Sequence, residues 1–99
     1  MVLVKFEPPI AVLGAGMEAQ DVVVYLLRHD CTDITVCDEK ETFDGAPFPN
    51  GVTMRFGKSA FKNLQNFKTI FRSPGVRLAR LELKDAAEKG SLITSGIKE

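Results

Sequence analysis

Gly14 and Gly16 carry the clearest chemical signal in this chain. They lie in the stretch IAVLGAGMEAQDVVVYLL, residues 10–27. A short apolar run ends there in Gly-Ala-Gly, and a helical pattern begins. The first glycine permits a tight turn, and the second lets a ligand approach the backbone. The N–H groups of the following first turn, at Met17, Glu18 and Ala19, then face that ligand with the helix dipole behind them. Ala19 fills the third position of G-x-G-x-x-G, a permitted variant. The same residues also suit a tight strand-to-helix turn that binds nothing. Placement directly after a strand and at the opening of a helix is what favours a phosphate.

Other residues bear on the same chemistry. Asp38 closes a second apolar run 24 residues after Gly14, where an acid would accept from ribose hydroxyls or, more plainly, cap a turn. Glu18 and Asp21 complement the dipole of the first turn but repel an anion. At about 5 Å and an effective dielectric near 20, one like charge costs on the order of 3 kcal/mol, and exposure to solvent reduces that. Lys40, Arg72 and Arg77 lie on neighbouring strand tips and are expected to offset it. FGKS (56–59) mimics the end of a phosphate loop, but Val52 stands where a Walker motif needs glycine. Ser59 therefore reads as a helix cap. His29, the single histidine, falls at a helix end, where the dipole favours it.

These residues need a scaffold, and hydrophobic periodicity supplies one. IAVLG (10–14), DITVCD (33–38), VTMRF (52–56), KTIFRS (68–73) and SLIT (91–94) read as strands. Ala19, Val22, Val23, Leu26 and Leu27 form one face of a first helix. A short helix is expected over 59–65, capped by Ser59. A third carries Ala79, Leu83, Ala86 and Ala87 and is stopped by Gly90. Strands interleaved with helices give an α/β domain with a parallel sheet. In such sheets ligands sit at the carboxyl ends of the strands. The tips Gly14–Glu18, Asp38–Lys40 and Ser73–Arg77 are thus expected to converge.

Composition narrows the field. The chain has 99 residues, 44% of them hydrophobic, with 13 basic and 13 acidic side chains. One domain with a real core follows, without the basic surface that nucleic acid or a membrane would need. No apolar run approaches the ~20 residues of a membrane span. Two cysteines, Cys31 and Cys37, without a secretory leader suggest a reduced, cytoplasmic setting. No metal-ligand spacing, histidine–nucleophile pair or phosphate loop is present, so catalysis by this chain alone is not expected.

Taken in order, the Gly-x-Gly loop, VCDEK (36–40), FRSPGV (71–76) and AAEKGSLITSGIKE (86–99) resemble the N-terminal domain of the Mur ligases, nearest the branch that adds D-glutamate. The likeness runs from Ile10 to Glu99. It implies a single Rossmann-like domain over 1–99, with about five mostly parallel strands, that holds the UDP end of a UDP-muramoyl-alanine substrate. By that resemblance Gly14, Ala15, Gly16, Met17 and Glu18 approach the diphosphate. Asp38, Glu39 and Lys40 surround the uracil, and Ser73 and Gly75 line the other wall. It also implies that this domain itself binds no cofactor. ATP and Mg²⁺ serve the parent enzyme through central and C-terminal domains, joined in cis and absent from these 99 residues. The chain would then be an excised or truncated domain of a peptidoglycan-synthesis ligase. Family members commonly have threonine and glycine in place of Glu18 and Ala19, and a small or hydroxylated residue in place of Glu39.

Two other functions stay open. Gly-x-Gly plus Asp38 also suits an NAD(P)-binding domain, although a second mononucleotide half is missing. Glu18 and Glu39 suit a module that kept the fold and lost the ligand.

Overall fold

A computed structural model describes residues 6–41, 48–73, 76 and 80–95, without the Met17 side chain. Gly75, Arg77 and Ala79 lie outside the described residues. Five strands form one sheet in the order β3-β2-β1-β4-β5. They are β1 (Ile10–Leu13), β2 (Ile34–Asp38), β3 (Val52–Phe56), β4 (Thr69–Arg72) and β5 (Leu92–Thr94). Every pairing is parallel, and Leu13 at the end of β1 is in register with Cys37 on one side and Arg72 on the other. The expected α/β architecture is therefore present.

The strand residues divide between two cores, as the period of two requires. Ile10, Val12, Ile34, Val36 and Phe71 pack on one face against Ala19, Val22, Val23 and Leu26 of α1 (Met17–Arg28). Ala11, Leu13, Cys37 and Ile70 pack on the other face. There they meet Phe61, Leu64 and Phe67 and, from α2 (Leu81–Glu88), Leu83 and Ala86. β1 is buried along its whole length, because both neighbouring strands and both faces cover it. Central parallel strands read as continuous apolar runs for this reason.

Element ends follow local chemistry. Gly90, at φ +100°, lies just past α2, and the Ser91 N–H donates to the Ala86 carbonyl at 3.0 Å. This is the predicted glycine stop. α1 ends at His29, whose ring stacks on Tyr25 at 4.1 Å and whose Nδ1 lies 2.8 Å from the Tyr25 carbonyl. Asp30 and Asp33 take positive φ in the turn that follows, a conformation aspartate tolerates.

One expectation fails. The segment 59–65 is not an α-helix, and Ser59 makes no cap. Residues 58–63 form turns closed by Ala60 N–H to Gly57 O and Lys62 N–H to Ser59 O, and a 3₁₀ turn occupies Leu64–Asn66. The cause is twofold. Asn63 sits in the left-handed region at φ 58° and breaks the helical path. Arg55 of β3 reaches over and donates from Nη2 to the Lys62 carbonyl at 2.6 Å and the Ser59 carbonyl at 3.3 Å. It thereby takes acceptors that a helix would use.

Candidate functional site at the carboxyl edge of the sheet

The loop after β1 is shaped by its neighbours. Gly14 has φ +92°, a value at which an L side chain is strained, and its N–H donates to the Cys37 carbonyl at 2.7 Å. A Cβ placed on Gly14 would lie 3.0 Å from Ser73 Oγ. The loop therefore packs against the tip of β4 on one side and is bonded to β2 on the other. Ala15 donates its N–H to Asp38 Oδ2 at 2.9 Å, and Lys40 donates its N–H to Asp38 Oδ1 at the same distance. Asp38 thus braces two loops at once. Such charge-assisted bonds are stronger than neutral ones.

Gly16 differs from Gly14. Its φ is −84°, it is exposed, and a Cβ there would meet nothing within 4 Å. It is the N-cap of α1, with no side-chain cap bond. The first N–H groups of a helix have no partner within it, so open space lies before a set of amide donors. Met17 begins α1, and Glu18 is exposed in its first turn.

The second tip is held on three sides. Gly57 donates its N–H to the Asp38 and Lys40 carbonyls at 3.1 and 3.0 Å, which ties the tip to the end of β3. Glu39 faces neither loop nor solvent alone. Arg80 donates to both of its carboxylate oxygens, Nη1 to Oε1 at 2.6 Å and Nη2 to Oε2 at 2.9 Å. The same guanidinium reaches Glu82 Oε2 at 2.8 Å and lies 4.7 Å over the Phe61 ring. On the third tip, Arg72 donates from Nη1 to the Val76 carbonyl at 3.0 Å, and Val76 N–H donates to Ser73 O at 3.0 Å. Arg72 therefore closes its own turn.

So the structure brings Gly14, Ala15, Asp38 and Ser73 into one cluster, with Gly16, Met17 and Glu18 directly after it. Lys40 adjoins it through its backbone, and its side chain is exposed. Gly75 lies outside the described residues. Sequence reasoning missed Arg80. Its partner Glu39 is 41 residues away, and nothing local in Ala-Arg-Leu-Glu announces the contact.

Arg80 sets the electrostatics. The hydrogen bonds from its guanidinium hold the Glu39 and Glu82 carboxyls below their ordinary range, and these partners raise Arg80 in return. Cys37, beside Asp38, is a different case. Burial pushes its thiol up to about 11, with Arg55 pulling weakly the other way, so it stays protonated and is no nucleophile. Among the described residues no group of three or more His, Cys, Asp or Glu side chains is placed to hold a metal ion, and no helix is long and apolar enough to cross a membrane.

The ion pair has a pH signature. Both carboxyls have folded values below the unfolded one of about 4.3. Their contribution to stability is therefore present above that value and is lost as pH falls through the depressed folded values. Side-chain exposures of 30% for Arg80 and 43% for Glu39 keep it to about 1 kcal/mol or less. Urea unfolding of the wild type and Arg80→Ala is expected to differ by that amount near neutrality. The difference should narrow as pH falls through the depressed folded values, leaving the packing of Arg80 on Phe61; a gap that does not narrow contradicts the assignment.

A parallel sheet with a Gly-x-Gly loop is shared by many nucleotide binders, so comparison decides the family. The family described as "Mur ligase MurD-like, N-terminal domain" matches residues 8–95. The chain belongs to this family. Among curated relatives, proteins named UDP-N-acetylmuramoylalanine--D-glutamate ligase are similar to it. That of Aliivibrio fischeri is 34% identical over 91 residues, covering 90% of this chain and 21% of the relative. That of Acetivibrio thermocellus is 31% identical over 90 residues, covering 87% and 19%. That of Clostridium botulinum is 28% identical over 95 residues, covering 91% and 20%. The chain spans about a fifth of the length of these relatives. As a MurD-like N-terminal domain, it has Ser73 against Gly14 and Asp38 against Ala15, which are features of its own geometry.

Proposed function

We propose that this domain binds UDP-N-acetylmuramoyl-L-alanine as the substrate-holding part of an ATP-dependent ligase that adds D-glutamate in peptidoglycan synthesis. The observation that carries the reading is the meeting of the Gly14–Gly16 loop, Asp38 and Ser73 at the carboxyl edge of the sheet. An open face before the first-turn amides of α1 accompanies it. The relatives bearing that ligase name support the substrate class.

In this reading the diphosphate lies before the N–H groups of Met17, Glu18 and Ala19, with Gly16 leaving room for it. The Ala15 N–H is already bonded to Asp38 and acts by shaping the loop. The uracil lies at the β2 tip, beside Asp38, Glu39 and Lys40, and Ser73 forms the opposite wall. Amide formation, through an acyl phosphate that ATP and Mg²⁺ supply, belongs to other domains of a longer cytoplasmic enzyme.

An amide-shift NMR titration of the 99-residue chain tests the reading. UDP and the UDP-muramoyl-alanine substrate are expected to move residues 14–18, 38–40 and 73, while NADH leaves them in place. Silence at all three tips up to millimolar UDP-linked ligand overturns it, and a response to NADH alone replaces it with the dinucleotide reading.

A further inference from the structure

The three strand tips are tied by contacts of different kinds. β1 is held to β2 by backbone and carboxylate bonds, Gly14 N–H to Cys37 O and Ala15 N–H to Asp38 Oδ2. It is held to β4 by packing of Gly14 on Ser73. The tie from the β2 tip to the start of α2 is ionic, the bidentate Arg80–Glu39 pair. Arg80 is placed from below by Phe61, a buried ring, and from the side by Glu82. One ring and two carboxylates thus fix the guanidinium.

Three acids on the first two tips bear on an anion at the start of α1: Glu18, Asp38 and Glu39. Asp38 is offset by two N–H donors. Glu18 is exposed to water. Glu39 follows Asp38 directly and stands one residue from the loop brace, and it is the one of the three with a full opposite charge in contact. Glu82, the remaining acid of the cluster, lies in the first turn of α2, where the helix dipole compensates it.

We propose that Arg80 is the residue that makes this acidic rim accept an anionic ligand. It offsets the Glu39 charge and draws that carboxylate onto α2. Arg80 is thus a positioning and charge-compensating residue, acting through Glu39. The inference rests on the reading above, that a nucleoside diphosphate binds at this edge. It explains why an acid at position 39 comes with an arginine 41 residues later.

The test compares UDP with uridine, which offer the same base with and without the charge, by titrating the 99-residue chain at low ionic strength. Arg80→Ala leaves Glu39 uncompensated and is expected to weaken UDP about tenfold and uridine less than about twofold. The double variant Arg80→Ala/Glu39→Gln is expected to bind UDP to within about threefold of Glu39→Gln alone. Arg80→Lys, which keeps the charge but not the two-pronged geometry, should stay within about threefold as well. Equal loss of UDP and uridine in Arg80→Ala marks a merely structural role and overturns the proposal. So does a double variant that falls below Glu39→Gln by as much as Arg80→Ala falls below wild type, or an Arg80→Ala that binds UDP as well as wild type. Wild type that binds neither ligand overturns the underlying reading instead, a result seen before any variant is made.

Discussion

Replacing Gly14 with valine is expected to remove about 3 kcal/mol of folding stability. The backbone there has φ +92°, where a residue other than glycine is strained by about 1–3 kcal/mol, and a β-branched one falls at the upper end. The new Cβ would also lie 3.0 Å from Ser73 Oγ, closer than ordinary contact, and 3.4 Å from Ser73 Cβ. Relief by rotating the chain would break the 2.7 Å bond from the Gly14 N–H to the Cys37 carbonyl. Against a total of about 5–15 kcal/mol for a domain of this kind, such a loss is severe. Urea unfolding should show the midpoint falling by about 1–3 M, given a slope of about 1–3 kcal/mol/M. A shift under about 0.5 kcal/mol would mean that the turn relaxes freely, and its bracing by β2 and β4 would then be of no consequence.

Gly16 to valine, two residues on, is expected to do the opposite. Its backbone, at φ −84° and ψ −167°, is extended and suits valine, and a Cβ there meets no atom within 4 Å. The variant gives up a modest N-cap preference and restricts the unfolded chain. These effects nearly cancel, leaving a change below about 1 kcal/mol. Binding is another matter. The valine methyl groups would stand in the space before the first-turn amides, where the proposed diphosphate lies. UDP affinity is expected to fall at least about a hundredfold, near 3 kcal/mol. Parallel melting and titration of the two variants separate the roles. Undiminished UDP binding by Gly16→Val rules out approach of the ligand to this part of the loop.

The contrast between these glycines shows what a sequence makes legible. Both are plain in Gly-Ala-Gly, and the apolar runs beside them mark β1 and α1 because burial on both faces, or on one helical stripe, leaves a periodic trace. β3 matches its expected limits although it is an edge strand with no fully buried residue, and Gly90 marks the end of α2. Which glycine is strained is set by the backbone, φ +92° at Gly14 against −84° at Gly16, and the crowding at Gly14 comes from Ser73, far along the chain. Asp38 was legible as a strand-end acid, but its hold on the Ala15 N–H required the register of β1 with β2. The segment 59–65 misled because Ser59, Phe61 and Leu64 imitate a capped helix; Asn63 and the guanidinium of Arg55 from a neighbouring strand decide otherwise. Arg80 left no local trace, since ion pairs across 41 residues have no period.

The burial of Cys37 has a practical consequence. One thiol is locked in the middle of the sheet while Cys31 sits at the partly exposed end of α1. Alkylating reagents therefore meet two clocks in one molecule. The faster reports access to the surface, and the slower reports those moments when the layer of Phe61, Leu64 and α2 lifts from β2, so the rate ratio gauges how often that side of the core opens.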